Sequence, residues 1–170
     1  MKVLVVYESM FGNSERVAHA VADGMRPHAE VELLEVDEAP GVPGADVDLL
    51  VAGGPTHAFS MSRERTREDA ARQGGRTRAV FTGLREWIDG LPSGPHGPRV
   101  VTFDTRADRA RHLPGSAAKA AARALRRHGF RVVASESFWV EDVAGPLLDG
   151  EVDRAREWGR SLVLERVGSR

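Results

Sequence analysis

The 170-residue sequence contains no cysteine. That excludes a disulfide, thiolate catalysis and a cysteine-bound cluster, and it excludes the cysteine-dependent phosphatases of similar size. Any redox chemistry must come from a bound cofactor. Lysine is almost missing, with only Lys2 and Lys119, so nearly all the positive charge is arginine. The lysine-bearing phosphate motif GxxxxGK[ST] does not occur, and neither does GxGxxG. No apolar run approaches the ~20 residues of a membrane span. The N-terminal apolar run is too short for a secretory signal, so a cytoplasmic location is expected. Charge of either sign is not in excess: 24 basic side chains face 25 acidic ones. Without a net field, neither nucleic acid nor a membrane is an expected partner.

What is present is the composition of a globular protein, 41% apolar and 29% charged. The length suits one domain spanning residues 1–170. The informative stretch is Val3 to Met25. Val3 to Tyr7 run without polar alternation, as in a central parallel strand covered on both faces. After Glu8-Ser9-Met10-Phe11-Gly12-Asn13-Ser14, apolar residues recur at Val17, Val21 and Met25, a helical stripe. A buried strand thus turns sharply into an amphipathic helix, and the free N–H groups of such a turn stabilise an anion, most often phosphate. Ser9 and Ser14 add hydroxyls, Asn13 an amide, and Gly12 lets the backbone approach a ligand. An ordinary capped βα turn is the plainer reading of the same residues.

Further along, Glu30 to Val36 reads as an edge strand because of its glutamates. Asp37 to Asp46 is too rich in Pro and Gly for more than a short helix. Asp48 to Ala52 is the third strand and ends in Gly53-Gly54-Pro55-Thr56-His57-Ala58-Phe59. There Thr56 offers a hydroxyl, and His57 and Phe59 offer flat faces. Ser60 to Arg78 is an arginine-rich excursion, too long for an ordinary connection. It admits two readings, a solvated surface with at least one helical turn or a lid beside the preceding loop. Val80, Leu84, Trp87 and Leu91 fall at helical spacing in a segment from Ala79, with Thr77 as cap and Trp87 in the core. Arg99 to Asp104 is the fourth strand, followed by a loop from Thr105 to Pro114. A helix from Ser116 to His128 stops at Gly129. Phe130 to Val140 is a fifth strand, bent near Ala134 to Glu136, with Phe138 and Trp139 as packing residues. Asp149 is placed to cap a last helix from Glu151 to about Glu165, and the tail Val167 to Arg170 should fray. Strands alternating with helices make a doubly wound α/β fold.

Tyr7-Glu8-Ser9-Met10-Phe11-Gly12-Asn13-Ser14-Glu15, directly after a hydrophobic first strand, resembles the phosphate loop of flavodoxins. Gly53-Gly54-Pro55-Thr56-His57 is similar to their second flavin loop. The resemblance spans the chain in element order and is to the short-chain type. It implies a flavodoxin-like, five-stranded parallel sheet of order 2-1-3-4-5 with helices on both faces, and bound flavin mononucleotide (FMN) at the switch point between first and third strands. By the same resemblance Ser9 to Ser14 would hold the phosphate, Pro55 to Phe59 the ring, and Asp104, Thr105 and Arg106 its pyrimidine side. Two departures stand out: the third loop lacks Tyr, Trp and Phe, leaving His112 as its one flat side chain, and the acidic balance common in flavodoxins is missing. The implied role is an electron carrier between redox partner proteins, as a monomer or weak dimer. The alternatives are an FMN-dependent NAD(P)H oxidoreductase, whose nicotinamide phosphate the arginine-rich excursion would bind, and a cofactor-free interaction module.

Overall fold

A computed structural model describes residues 1–75, 80–93 and 97–164. The strands are β1 (Lys2–Tyr7), β2 (Glu30–Glu35), β3 (Leu49–His57), β4 (Ser60–Met61), β5 (Arg99–Ala107) and β6 (Arg131–Val140). The helices are α1 (Asn13–Met25), α2 (Glu64–Arg72), α3 (Leu84–Asp89), α4 (Ala117–Arg127) and α5 (Glu151–Leu164). Five strands form a parallel sheet in the order β2-β1-β3-β5-β6. This is the expected order once a strand the sequence did not announce is set aside. That strand, β4, folds back on the end of β3 in an antiparallel pair.

Alternation along the buried strands sorts side chains onto the two faces. Leu4, Val6, Leu50, Ala52 and Val100 pack with α3 and α4, whereas Val3, Val5, Leu49, Val51, Val101 and Phe103 pack with α1 and α5. Trp87 lies in the first layer, as its spacing predicts, and its indole N–H donates to the Pro40 carbonyl at 2.9 Å. This bond pins the turns of 37–46 over the core. In β6 the register slips opposite Val100/Val101, leaving Val133 as an extra residue, and this bulge is the expected bend.

Two local expectations change. The helix expected from Ala79 begins only at Leu84, because Gly83 is extended and its N–H donates to the Glu86 carboxylate at 2.9 Å, a side-chain cap from within the first turn. Thr77, its expected cap, and the tail from Val167 to Arg170 lie outside the described residues. At α5 the carbonyl that accepts the first helical bond, from the Arg154 N–H, belongs to Gly150 rather than to Asp149. Gly150 has φ +85°, a conformation that suits glycine better than aspartate.

Helices α1 and α5 approach at backbone contact. A Cβ on Gly24 would fall 2.0 Å from the Arg156 carbonyl oxygen, and one on Gly159 would fall 2.2 Å from that of Val21. Neither obstacle is a side chain that can swing away. Gly159→Ala should therefore destabilise the fold by about 1–3 kcal/mol, the usual cost of overpacking. Chemical denaturation tests this, and an unchanged midpoint would contradict the close crossing.

Candidate functional site

The carboxyl ends of β1, β3 and β5 converge where the chain leaves β1 for one side of the sheet and β3 for the other. Loop one is shaped by its own atoms. The Glu8 N–H donates to the Gly53 carbonyl at 3.0 Å, tying the first loop to the second. Ser9 Oγ accepts from the Gly12 N–H at 3.1 Å, and Gly12, at φ +86°, turns the chain into α1. The first intrahelical bond runs from Arg16 N–H to the Gly12 carbonyl, and no side chain caps the helix. The N–H groups of Asn13, Ser14 and Glu15 therefore have no partner among the described residues.

Ser9, Met10, Phe11, Asn13, Ser14, Pro55, Thr56, His57, Thr105 and Arg106 line one cleft of about 70 Å³. These are the expected site residues except Gly12, Ala58, Phe59 and Asp104. Ser14 and Thr105 share a hydroxyl–hydroxyl bond of 2.7 Å across loops one and three. Ala58 and Phe59 form the tip of the β3–β4 hairpin, at φ 47° and 64°. Phe59 is 52% exposed there, and its carbonyl lies against Gly115 at the end of the third loop. Asp104 is turned away: its Oδ2 accepts from the Ala118 N–H at 2.8 Å, and Thr56 Oγ1 accepts from the Ala117 N–H at 2.9 Å, so both serve the N-terminus of α4. Burial, followed by the nearby Arg67 charge, holds the His57 imidazole below its ordinary pKa, so it is neutral at pH 7.

The sequence did not point to the segment after β6. Asn13 Nδ2 donates to the Ala144 carbonyl at 3.1 Å, and Gly145, at φ +95°, lies so close to the Asn13 amide that no Cβ would fit. This lays Val140 and Val143 along the cleft and commits the Asn13 side chain to holding them.

A buried polar cluster beneath loops one and two also went unread. Glu8 is 3% exposed; its carboxylate accepts from the Leu84 N–H at 2.7 Å and from the Ser62 hydroxyl. Arg67, from the charged excursion, has no exposed surface. It donates to Ser62 Oγ at 2.8 Å and to the Val80 carbonyl at 2.6 Å, and it pairs with Glu86 at 3.1 Å. Desolvation would raise the Glu86 pKa, but the bond from Arg67 and the Gly83 N–H hold it below the usual range. In the described part of the excursion α2 is the expected helical stretch on a solvated surface, with Arg63, Arg65 and Arg72 exposed, but Arg67 is a core residue.

A phosphate group fits the donor set of loop one. The open end of α1 is at hand and hydroxyls flank it, while Gly12, where a Cβ would meet nothing within 4 Å, borders the larger cavity on the other side of the loop. A ring-sized ligand needs about 300 Å³ or more, so seating it requires the hairpin tip and third loop to part. A larger cavity of about 680 Å³ lies on the β2 side of the same loop, but Glu15, Glu35 and Glu38 line it, the wrong charge for a phosphate. No group of His, Asp and Glu suited to hold a metal ion occurs among the described residues, and no helix among them is long and apolar enough to cross a membrane.

No family model and no curated protein matches the chain. Solved structures do resemble its fold. A short-chain flavodoxin associated with a bacterial microcompartment superposes with a TM-score of 0.67 at 17% identity, over 97% of this chain and 98% of that one. Oxidised flavodoxin 2 from Bacillus cereus gives 0.63 at 19% identity, over 98% and 99%. A flavone reductase gives 0.60 at 16% identity, over 99% of this chain and 64% of its own. The chain has the flavodoxin-like fold.

Burial, opposed by bonds from Ser62 and Leu84 and by the Arg67 charge, pushes the Glu8 carboxyl above its ordinary 4.5. A carboxyl that binds its proton more tightly when folded adds stability at low pH and loses it as pH rises from about 4.5 through the folded value. Subtracting the unfolding free energy of Glu8→Gln from that of the wild type should leave a difference that falls over this window and is flat above it. A flat difference throughout would mean that Glu8 is not desolvated.

Proposed function

We propose that the chain binds FMN, with the phosphate at the N-terminus of α1 and the ring toward Thr56, His57 and Arg106, and works as a redox flavoprotein. The observation that carries this reading is the unfilled N-terminus of a thirteen-residue helix, set among serine and threonine hydroxyls where the strand order reverses. Bound FMN supplies one- and two-electron transfer, which the cysteine-free chain cannot. The chain's own part is to hold and tune it. The N–H groups of Asn13, Ser14 and Glu15 neutralise phosphate charge, Ser9 keeps the loop in shape, and the Ser14–Thr105 pair links the phosphate end to the third loop. The strap after β6, held by Asn13, lays Val140 and Val143 along the cleft.

A bound flavin supports either of two roles. An electron carrier serving redox partner proteins needs no acid, base or nucleophile, and no carboxylate lines the cleft among the described residues. An FMN-dependent oxidoreductase using NAD(P)H, a role in keeping with the flavone reductase among the structural neighbours, is favoured by one feature, the buried Arg106.

Visible spectroscopy and calorimetry of the purified protein with FMN test the proposal. Added FMN should bind with a perturbed flavin band, and riboflavin, lacking the phosphate, should bind much more weakly. Ser14→Ala should weaken FMN by about 1–3 kcal/mol, the worth of a hydrogen bond to a charged group. Gly12→Val should weaken it more, because it forces a β-branched residue to φ +86° at the turn that aims the N–H groups of α1. Equal affinity for FMN and riboflavin would overturn the phosphate assignment, and failure to bind either would leave a cofactor-free interaction module.

A further inference from the structure

Arg67 and Arg106 are both buried, but they are satisfied differently. Arg67 pairs with the Glu86 carboxylate. Arg106 is 6% exposed, and no carboxylate lies within ion-pair distance of it among the described residues. Its Nη2 donates to the Ala110 carbonyl at 2.6 Å and to the Leu113 carbonyl at 3.0 Å, and its guanidinium sits 5.5 Å from the centre of the Trp139 ring. Its Nε is buried without an acceptor. The acids nearest in sequence face other partners. Asp104 receives the Ala118 N–H through Oδ2 while its Oδ1 is buried without a donor, Asp108 pairs with Arg111 at 2.6 Å, and Asp142 pairs with Arg109 at 2.8 Å. Arg111, already paired with Asp108, lies over the same Trp139 ring at 4.3 Å.

Carbonyl acceptors and a ring face hold a guanidinium in place but do not cancel its charge, and an unneutralised buried cation costs several kcal/mol. Arg106 lines the cleft into which the N-terminus of α1 opens, so two positive ends face one ligand space. A phosphate answers the first. The second calls for a further acceptor or negative charge on the same ligand.

Resting on the FMN reading, we infer that Arg106 is the counter-charge for a flavin ring that becomes anionic on reduction. The site therefore holds reduced FMN more tightly than oxidised FMN and serves as an electron acceptor rather than a low-potential donor. A reduced nicotinamide supplies the electrons: it gives up a hydride, two electrons and one proton, and leaves as its oxidised cation. The ring, having gained one proton for two electrons, carries one negative charge, and Arg106 is the buried cation placed to balance it. Arg106 acts by electrostatics on the bound ring and transfers no proton.

The test is the ratio of two dissociation constants, for oxidised FMN in air and for dithionite-reduced FMN under anaerobic conditions, at a pH above the titration of the reduced ring. Wild-type protein should bind the reduced form about tenfold more tightly, which places the two-electron potential about 30 mV above that of free FMN. Arg106→Met should bring the ratio to near one, and Arg106→Lys, which keeps the charge, should retain most of it. A side chain that only braced the third loop would weaken both redox forms alike, so an unchanged ratio in Arg106→Met overturns the inference. A wild-type ratio of one or less overturns it without any variant. If oxidised FMN binds but the ratio fails, the FMN reading stands and this inference alone falls; if neither form binds, the FMN reading falls with it.

Discussion

A helix that starts at a buried strand end must leave its first N–H groups to something, and among the described residues nothing takes them. Gly12 turns the backbone at φ +86°, Ser9 takes the Gly12 N–H, and the N–H groups of Asn13, Ser14 and Glu15 remain. This constraint organises the carboxyl edge of the sheet. Loop two is tied to loop one through the Glu8–Gly53 bond, loop three through Ser14–Thr105, and the strap after β6 through Asn13–Ala144. Each bond spends a side chain or backbone group from around the turn without filling the helix end itself. What remains is a cradle whose walls are held in place and whose donors are free, the arrangement that gives an anion site its affinity without lysine.

Behind the cradle, a second requirement fixes the long excursion between β3 and β5. A guanidinium with no exposed surface needs acceptors on every side. Arg67 hydrogen-bonds Ser62 and the Val80 carbonyl and forms an ion pair with Glu86, although its Nη2 makes no hydrogen bond, and so draws β4, α2 and the start of α3 onto the underside of loops one and two. Glu8 completes the cluster by receiving Ser62 and the Leu84 N–H. Gly83 and Gly54 leave the room this needs, since a Cβ on Gly83 would fall 2.3 Å from an Arg67 nitrogen and one on Gly54 would crowd Glu8. A stretch whose composition reads as solvated surface is thereby part of the floor of the site.

Much of this architecture could be read in advance, because it follows from local patterns. The unbroken apolar run of β1, the stripe of α1, and the Ser116 and Gly129 boundaries of α4 are statements about periodicity and capping, and they held. The glycine-bearing ends of β1 and β3 fell at the switch point, as chain order required. What could not be read depends on partners far away in sequence. Nothing local distinguishes Arg67 from Arg63 or Arg65, and only the distant Glu86 and Val80 make it a core residue. Asp104 looked like a ring-side acid, but the N-terminus of α4 claims it. The third loop is short of aromatics, and the flat wall beside Arg106 comes from Trp139 on β6, a residue its own strand pattern assigns to packing. A lone acid such as Glu8, between a buried strand and a hydroxyl-rich turn, is a legible signal of a buried polar cluster.

The central claim is that a ligand phosphate sits on the free N–H groups at the start of α1, and amide chemical shifts report on those groups one by one. In nitrogen–proton correlation spectra recorded during titration with FMN, the amides of Asn13, Ser14 and Glu15 should move strongly downfield as they gain a charged acceptor. Riboflavin should leave them nearly still while shifting residues near His57 and Arg106. Perturbations centred instead on Glu35, Glu38 and His19, in the acidic cavity on the other side of the loop, would contradict the account.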